Sequence, residues 1–306
     1  MAGTTESKSL GIIAEPSAPL GGIAAIDCRY TSRLAYLLAR YYLGLDHPGK
    51  LRIWRYLYRL FGHPAVIVNY AGEALLRLDY RDFVQAHILR NGYYEPEVWD
   101  VLSEFTTGAD VLWDVGAHVG SVSIRAALDS RVQIVHCFEP HPQTGAALKR
   151  NLALNSQLAV QHHAVALGDQ VGREQLAAGA FGNVGTASLC RSWGVGRYDV
   201  MCTTVDQLVF EGVAAPTLMK VDVEGWELPV LQGTTSMLAE HRLKAIVFEA
   251  ACDEAGRLCE REISDLLGRF GYQVHRVVRP EGGIEPRENF LAALDIPSAL
   301  YTRLAK

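Results

Sequence analysis

Five carboxylates in this sequence each close an apolar run: Asp114 in VLWD, Glu139 in IVHCFE, Asp222 and Glu224 in LMKVDVE, and Glu249 in IVFE. Acids at strand ends can accept hydrogen bonds from sugar hydroxyls, hold a cation, or take a proton from a reacting group. The first of them opens Asp114-Val-Gly116-Ala-His118-Val-Gly120. Gly116 permits a tight turn and a close backbone approach, and the helix that follows turns its free N–H groups toward a ligand. Glu139 lies 23 residues beyond Gly116. That spacing sets a carboxylate against both hydroxyls of an adenosine ribose and disfavours a 2′-phosphate.

The second cluster is Lys220-Val-Asp222-Val-Glu224. Continued strand alternation predicts that these three side chains share one side, and charges of that kind are costly inside a parallel sheet unless they meet a site or one another. With Glu249 on the next strand, the acids form a rim suited to a cationic ligand. A dinucleotide carries a pyrophosphate and calls for G-x-G-x-x-G, whereas only Gly116 and Gly120 are present. S-adenosylmethionine has a sulfonium, an ammonium and a ribose but no phosphate, so it suits the rim better. An adenine-dinucleotide oxidoreductase and a cofactor-binding protein without turnover stand as alternatives. Asp222 is expected to hold the cofactor, and Glu224 or Glu249 to orient or deprotonate an acceptor. Mg²⁺ held by the same oxygens is the competing arrangement; no metal is assigned.

The elements that must position these residues follow one rhythm from Ala109 onward. Strands are expected at VLWDV, VQIVHCFEP, 160–167, 216–223, 244–250, 272–278 and 288–294, with helices over 120–129, 142–154, to about 240 and to about 270. Short apolar runs separated by amphipathic helices indicate a parallel sheet covered on both faces, with ligands bound at the carboxyl ends of its strands. Residues 31–62 read as two helices broken at His47-Pro48-Gly49, and they carry Arg33, Arg40, Lys50, Arg52, Arg55 and Arg59 against Asp46 alone. Residues 64–90 alternate more like strands, and a helix opens near Pro96. The expected divisions are a loose tail over 1–30, a helical cap or lid over 31–95, and a cofactor-binding domain over 96–306.

Composition sets outer limits. The net charge of -5 over 306 residues gives no global attraction to nucleic acid. Cysteines 28, 137, 190, 202, 252 and 259 show no metal-like spacing and read as reduced thiols. With neither a secretion signal nor an apolar span, a soluble, cytoplasmic protein is expected. The basic segment 31–62 could serve as a cap, an acceptor lid or a peripheral contact with anionic lipid. Adjacent His162 and His163 should face opposite ways and hold no metal together.

The motifs GYYEP, VLWDVGAHVG, HCFEPHP, AVALGDQVG, TTVDQL, LMKVDVEGWELPVLQG and IVFEA, in this order over residues 90–295, resemble the FkbM family of S-adenosylmethionine-dependent methyltransferases. The resemblance implies the class I methyltransferase fold: an α/β, Rossmann-like, mostly parallel seven-stranded sheet whose last strand is antiparallel and slotted between its neighbours. It implies that Asp114, Gly116 and Gly120 line the methionine moiety, that Glu139 holds the ribose, and that Val165–Leu167, with Ala166 at the centre, border the adenine. Tyr94 and Glu95 would close over the cofactor. His118 stands where the family commonly has Asn; both tolerate a left-handed backbone. The implied reaction is O-methylation of a small-molecule or glycan hydroxyl.

Overall fold

The computed structural model describes residues 29, 31–43, 47–61, 65–79, 82–177, 188–189, 196–279 and 283–305. The tail expected over 1–30, apart from Arg29, lies outside the described residues, as do Cys28 and Cys190.

The chain opens with helices α1 (Arg33–Leu43) and α2 (Lys50–Phe61), a hairpin of β1 (Val66–Tyr70) and β2 (Ala74–Leu78), then α3 (Phe83–Asn91) and α4 (Pro96–Leu102). The strand-like reading of 64–90 holds for the hairpin but not beyond it. Asp82 accepts a hydrogen bond from the backbone N–H of Gln85 and caps α3, and Gly92 closes that helix in a left-handed conformation. Val66, Val68, Tyr70, Ala74, Leu76 and Leu78 bury one face of the hairpin. Its open edge is satisfied by side chains: Asn155 and Asn151 accept from the backbone N–H groups of Leu75 and Arg77 at 2.9 and 2.8 Å. On α2, Ile53, Tyr56, Leu60 and Phe61 remain exposed.

The remaining chain alternates strand and helix. It runs β3 (Asp110–Val115), α5 (Ser121–Ala127), β4 (Val132–Phe138), α6 (Pro142–Leu154), β5 (Val160–His163), β6 (Ala166–Leu167), β7 (Gly172–Ala177), β8 (Arg197–Thr203) and α7 (Val205–Phe210). It continues with β9 (Leu218–Val221), α8 (Glu227–Gln232), α9 (Thr235–Ala239), β10 (Ala245–Ala251), α10 (Arg261–Arg269), β11 (Gln273–Val277), β12 (Arg287–Ala293) and β13 (Leu304–Ala305). The large sheet has the order β13-β11-β12-β10-β9-β3-β4-β5. Strands β10, β9, β3, β4 and β5 are mutually parallel, while β12 runs antiparallel between β10 and β11. This is the seven-stranded order expected from the sequence, extended by the two-residue β13 at its edge.

Period-two alternation explains why both faces are covered. Trp113, Val115, Met219, Val221, Ile246 and Phe248 belong to one buried cluster. Leu112, Leu218, Ala245 and Val247 belong to the other. The single strand expected over 160–167 divides in two. Beyond His163 the chain leaves the large sheet, and β6 pairs with β8, which also pairs with β7, in a separate three-stranded sheet.

The end of the sheet opposite the strand carboxyl edge is tied by Asp110. Its carboxylate takes hydrogen bonds from Lys244 Nζ at 2.5 Å, Thr217 Oγ1 at 2.7 Å and the Thr107 backbone at 2.7 Å, joining the starts of three neighbouring strands. Burial alone would raise the Asp110 pKa, but these hydrogen bonds outweigh it and hold the group below its ordinary value. A carboxyl depressed in the folded state stabilises above its unfolded pKa and loses that contribution as pH falls through the folded one. Asp110→Asn should therefore cost about 2–3 kcal/mol at neutral pH, read by urea denaturation. The gap to the parent protein should close as both are acidified below the carboxylate range.

Candidate functional site

The acids named from the sequence converge at the carboxyl edge of the sheet. Asp114 and Lys220 are register partners on β3 and β9, and Val247 of β10 pairs with Lys220 on its other side. Alternation then carries Glu249 to the same face, level with Asp222. Lys220 Nζ stands 3.1 Å from Asp222 Oδ2, 3.6 Å from Asp114 Oδ1 and 3.3 Å from the Gly116 carbonyl oxygen. Burial would lower the Lys220 pKa, but the carboxylates of Asp222, Asp114 and Glu95 outweigh it and keep the ammonium charged. Asp114 also accepts a 2.5 Å hydrogen bond from Ser123 Oγ.

The glycine loop is shaped by contact with its neighbour. Gly116 has φ +84°, and a Cβ there would lie 1.7 Å from the Asp222 carbonyl oxygen. No other residue fits, because the obstacle is backbone. His118 is left-handed, with φ +51°, as its type allows. Its backbone N–H donates to Glu139 Oε2 at 3.0 Å, and that of His141 donates to Glu139 Oε1 at 2.9 Å. The turn thus aims Glu139 into the cleft while leaving each oxygen further acceptor capacity. Burial pushes the Glu139 carboxyl up to about 7 against those two hydrogen bonds.

An open cleft joins these parts. Gly116, His118, Glu139, Ala166, Lys220, Asp222, Glu224 and Glu249 all line it. Val165, Ala166, Leu167, Phe138 and Leu176 form an apolar slot beyond Glu139, while Phe83, Val84, Tyr94 and Glu95 cover the cleft from the N-terminal side. Asp114 is buried beneath this lining, and Gly120 starts α5. Glu95 caps α4 with φ +46°; burial, then the charge of Asp222, raises its carboxyl to about 8. Burial and the surrounding carboxylates push the Tyr94 phenol up, so it stays protonated.

Two placements differ from the alternation reading. β9 ends at Val221, and Glu224 reaches the cleft through a turn with φ +55° rather than along a continued strand. Glu249 does not face the cleft as an unpaired acid: Arg287 Nε donates to its Oε2 at 2.6 Å. Arg287 also stands 3.2 Å from Glu227 Oε1, a fully buried carboxylate. Neither Arg287 nor Glu227 was singled out from the sequence. Arg287 opens an antiparallel strand, so only the topology brings its start to the edge where the parallel strands end. Asp222, Glu227 and Glu249 lie close enough to hold a cation. His162 bonds the Glu139 carbonyl oxygen at 3.1 Å, whereas His163 pairs with His136 at 3.0 Å, so the two do face opposite ways.

The residues present fit S-adenosylmethionine. Among the described residues, both ring nitrogens of His118 and Asp114 Oδ1 are buried without a hydrogen-bond partner, at the loop that would meet the methionine moiety. Glu139 suits ribose hydroxyls, and the apolar slot suits a flat base.

A sheet in this order, with a glycine loop after its first strand and acids at the following strand ends, defines a class I methyltransferase fold. The sequence pattern of the Methyltransferase FkbM domain matches residues 114–274. The chain belongs to the FkbM methyltransferase family. It is 30% identical over 164 residues to the hexuronic acid methyltransferase AglP of Haloferax volcanii, a match spanning 52% of this chain and 64% of that protein. The chain thus accounts for less than two thirds of that relative's length. Two solved structures also resemble it. The methyltransferase FkbM from Methylobacillus flagellatus KT is 16% identical, with TM-score 0.44, covering 85% of this chain and 57% of the other. TYW2 of M. jannaschii in complex with AdoMet is 13% identical, with TM-score 0.38, covering 74% and 84%. Among the described residues, no helix is long and apolar enough to cross a membrane.

Lys220 is the cation on which the two loops depend. Lys220→Met leaves Asp114 and Asp222 in place with no ammonium between them. Removing one partner of a buried ionic cluster costs about 3–5 kcal/mol, so chemical denaturation should show a loss of that order.

Proposed function

We propose that this protein transfers a methyl group from S-adenosylmethionine to a hydroxyl of a glycan or small-molecule acceptor. The observation that carries the reading is the charge of the cleft. Among the described lining residues Lys220 is the one lysine or arginine, and Asp222 and Asp114 engage it. A pyrophosphate would find no uncommitted lysine or arginine among those described residues. A ligand with positive charge and a ribose would find Asp222, Glu95 and Glu139. This disfavours a dinucleotide oxidoreductase.

S-adenosylmethionine, when bound, supplies an electrophilic methyl group on a positively charged sulfur. Asp114, Gly116, His118 and Gly120 would hold its methionine moiety, Glu139 its ribose and Ala166 the edge of its adenine. Asp222 and Glu95 would balance its charge. Because the methyl group is already activated, positioning supplies much of the acceleration. A hydroxyl acceptor must still lose a proton, and a carboxyl titrating close to neutrality suits that task. Glu249 is such a group: burial, then Asp222, raises it to about 7, while Arg287 opposes the rise. Glu224 lines the same cleft and would orient the acceptor. A sugar acceptor draws support from the relative named for a hexuronic acid. The acidic rim favours attack by a hydroxyl over a carboxylate, which it would repel.

Calorimetry tests the cofactor. S-adenosylhomocysteine should bind and NAD should not; saturable micromolar NAD binding would overturn the reading. Glu139→Ala should weaken S-adenosylhomocysteine by about 1.5–3 kcal/mol.

The ionised rim should also make binding pH-dependent. Glu95 and Glu139 sit at about 8 and about 7, so a cationic ligand selects their deprotonated forms. Affinity should fall as pH drops through that range, and binding should release protons, read from the buffer dependence of the binding heat.

A further inference from the structure

Asp222, Glu227 and Glu249 each offer an oxygen within 4.8 Å of the others, a spacing suited to a divalent cation. A side chain lies against two of them. Arg287, the first residue of β12, reaches Glu249 Oε2 with Nε at 2.6 Å and the Glu249 carbonyl oxygen with Nη2 at 3.3 Å. The same Nη2 stands 3.2 Å from Glu227 Oε1, and Nη1 stands 3.8 Å from Glu260 Oε1. The planar fork thus spans carboxylates from three elements. Arg287 is 15% exposed and Glu227 fully buried, so the charges are compensated largely by one another. Glu249 lines the cleft and Arg287 does not. The hydrogen bond to Glu249 is thus what links the guanidinium to the cleft lining.

Resting on the methyltransferase reading above, we propose that Arg287 is the resident cation of the acceptor site. It aims the Glu249 carboxylate into the cleft, favours its ionised form, and serves there in place of a divalent metal ion. In the transfer the acceptor oxygen forms its bond to the methyl carbon. Its proton passes to the Glu249 carboxylate, and the electron pair of the broken carbon–sulfur bond stays on sulfur. Arg287 is a positioning residue in this scheme. Among the described residues, the groups that act on Glu249 include Arg287 from β12, Asp222 after β9, Glu227 at the start of α8, and Tyr94 and Glu95 just before α4. All but Arg287 are acids or a phenol. Removing the guanidinium therefore leaves Glu249 among groups that favour its protonated form.

The test compares the parent protein with Arg287→Gln and Arg287→Lys. Carboxyl titration by NMR on protein carrying ¹³C-labelled glutamate follows Glu249, assigned with Glu249→Gln, and needs no substrate. Arg287→Gln should move the Glu249 titration up by about one pH unit or more. The acid limb of the kcat profile should move with it, with little change in KM. Arg287→Lys, which keeps the charge, should return both toward the parent position, and it carries the test alone if the Gln variant does not fold. Turnover of the parent protein should be unchanged by EDTA. An unmoved Glu249 titration in folded Arg287→Gln overturns the proposal, as does a Lys variant that titrates one unit higher, or turnover abolished by the chelator. Parent protein that fails to bind S-adenosylhomocysteine would instead overturn the cofactor reading, and the NMR titration separates the two failures.

Discussion

Too many carboxylates meet at one edge of one sheet, and the way their charge is balanced governs the rest of the site. Asp114, Asp222, Glu227 and Glu249 lie on adjacent strand ends or the turns that follow them, and Glu95 faces them from the N-terminal side. Left alone they would repel one another and resist burial. Two cations prevent this from within the fold. Lys220 stands between Asp114 and Asp222, and Arg287 spans Glu227 and Glu249. Both come from strands, so their positions are fixed by sheet register rather than by flexible loops. Burial first, and neighbouring carboxylates after it, still raise Glu95, Glu139 and Glu249 toward neutrality, so their ionised forms remain incompletely compensated. That residual demand for positive charge is what a cationic ligand would meet.

Close backbone contact is the second condition. The glycine loop presses so tightly on the turn after β9 that Gly116 cannot carry a side chain. The glycine loop also gives the backbone N–H of His118 to Glu139. One short stretch thereby sets the floor of the cleft, its distance from Asp222 and the aim of the ribose-binding candidate.

The N-terminal elements are tied to this floor by polar side chains. Asn151 of α6 accepts from Arg77 of the hairpin and donates to the Val119 carbonyl oxygen of the glycine loop. His118 lies 3.8 Å from Asp82, the cap of α3. These elements supply Phe83, Val84, Tyr94 and Glu95 to the wall of the cleft.

Much of this was legible in the residues themselves. Alternating apolar runs specify their own burial, so the parallel sheet, its helices and the acids at its strand ends follow from local pattern. The positions of Gly116, Glu139 and Asp222 in the cleft, and of Asp114 beneath it, needed only the rule that strands end at the binding edge. Other features depended on partners distant in sequence. Nothing local says that the chain after His163 leaves the sheet to pair with β8, because strand pairing is chosen by which edge is free. Nothing local says that Glu224 turns left-handed, or that Glu227 is buried. Above all, Arg287 reaches Glu249 only because an antiparallel strand is slotted into a parallel sheet, which brings the start of one strand to the ends of the others. Sequence fixed the kinds of charge available at this edge; the crossing of strands in space decided which of them are neutralised and which are left to act.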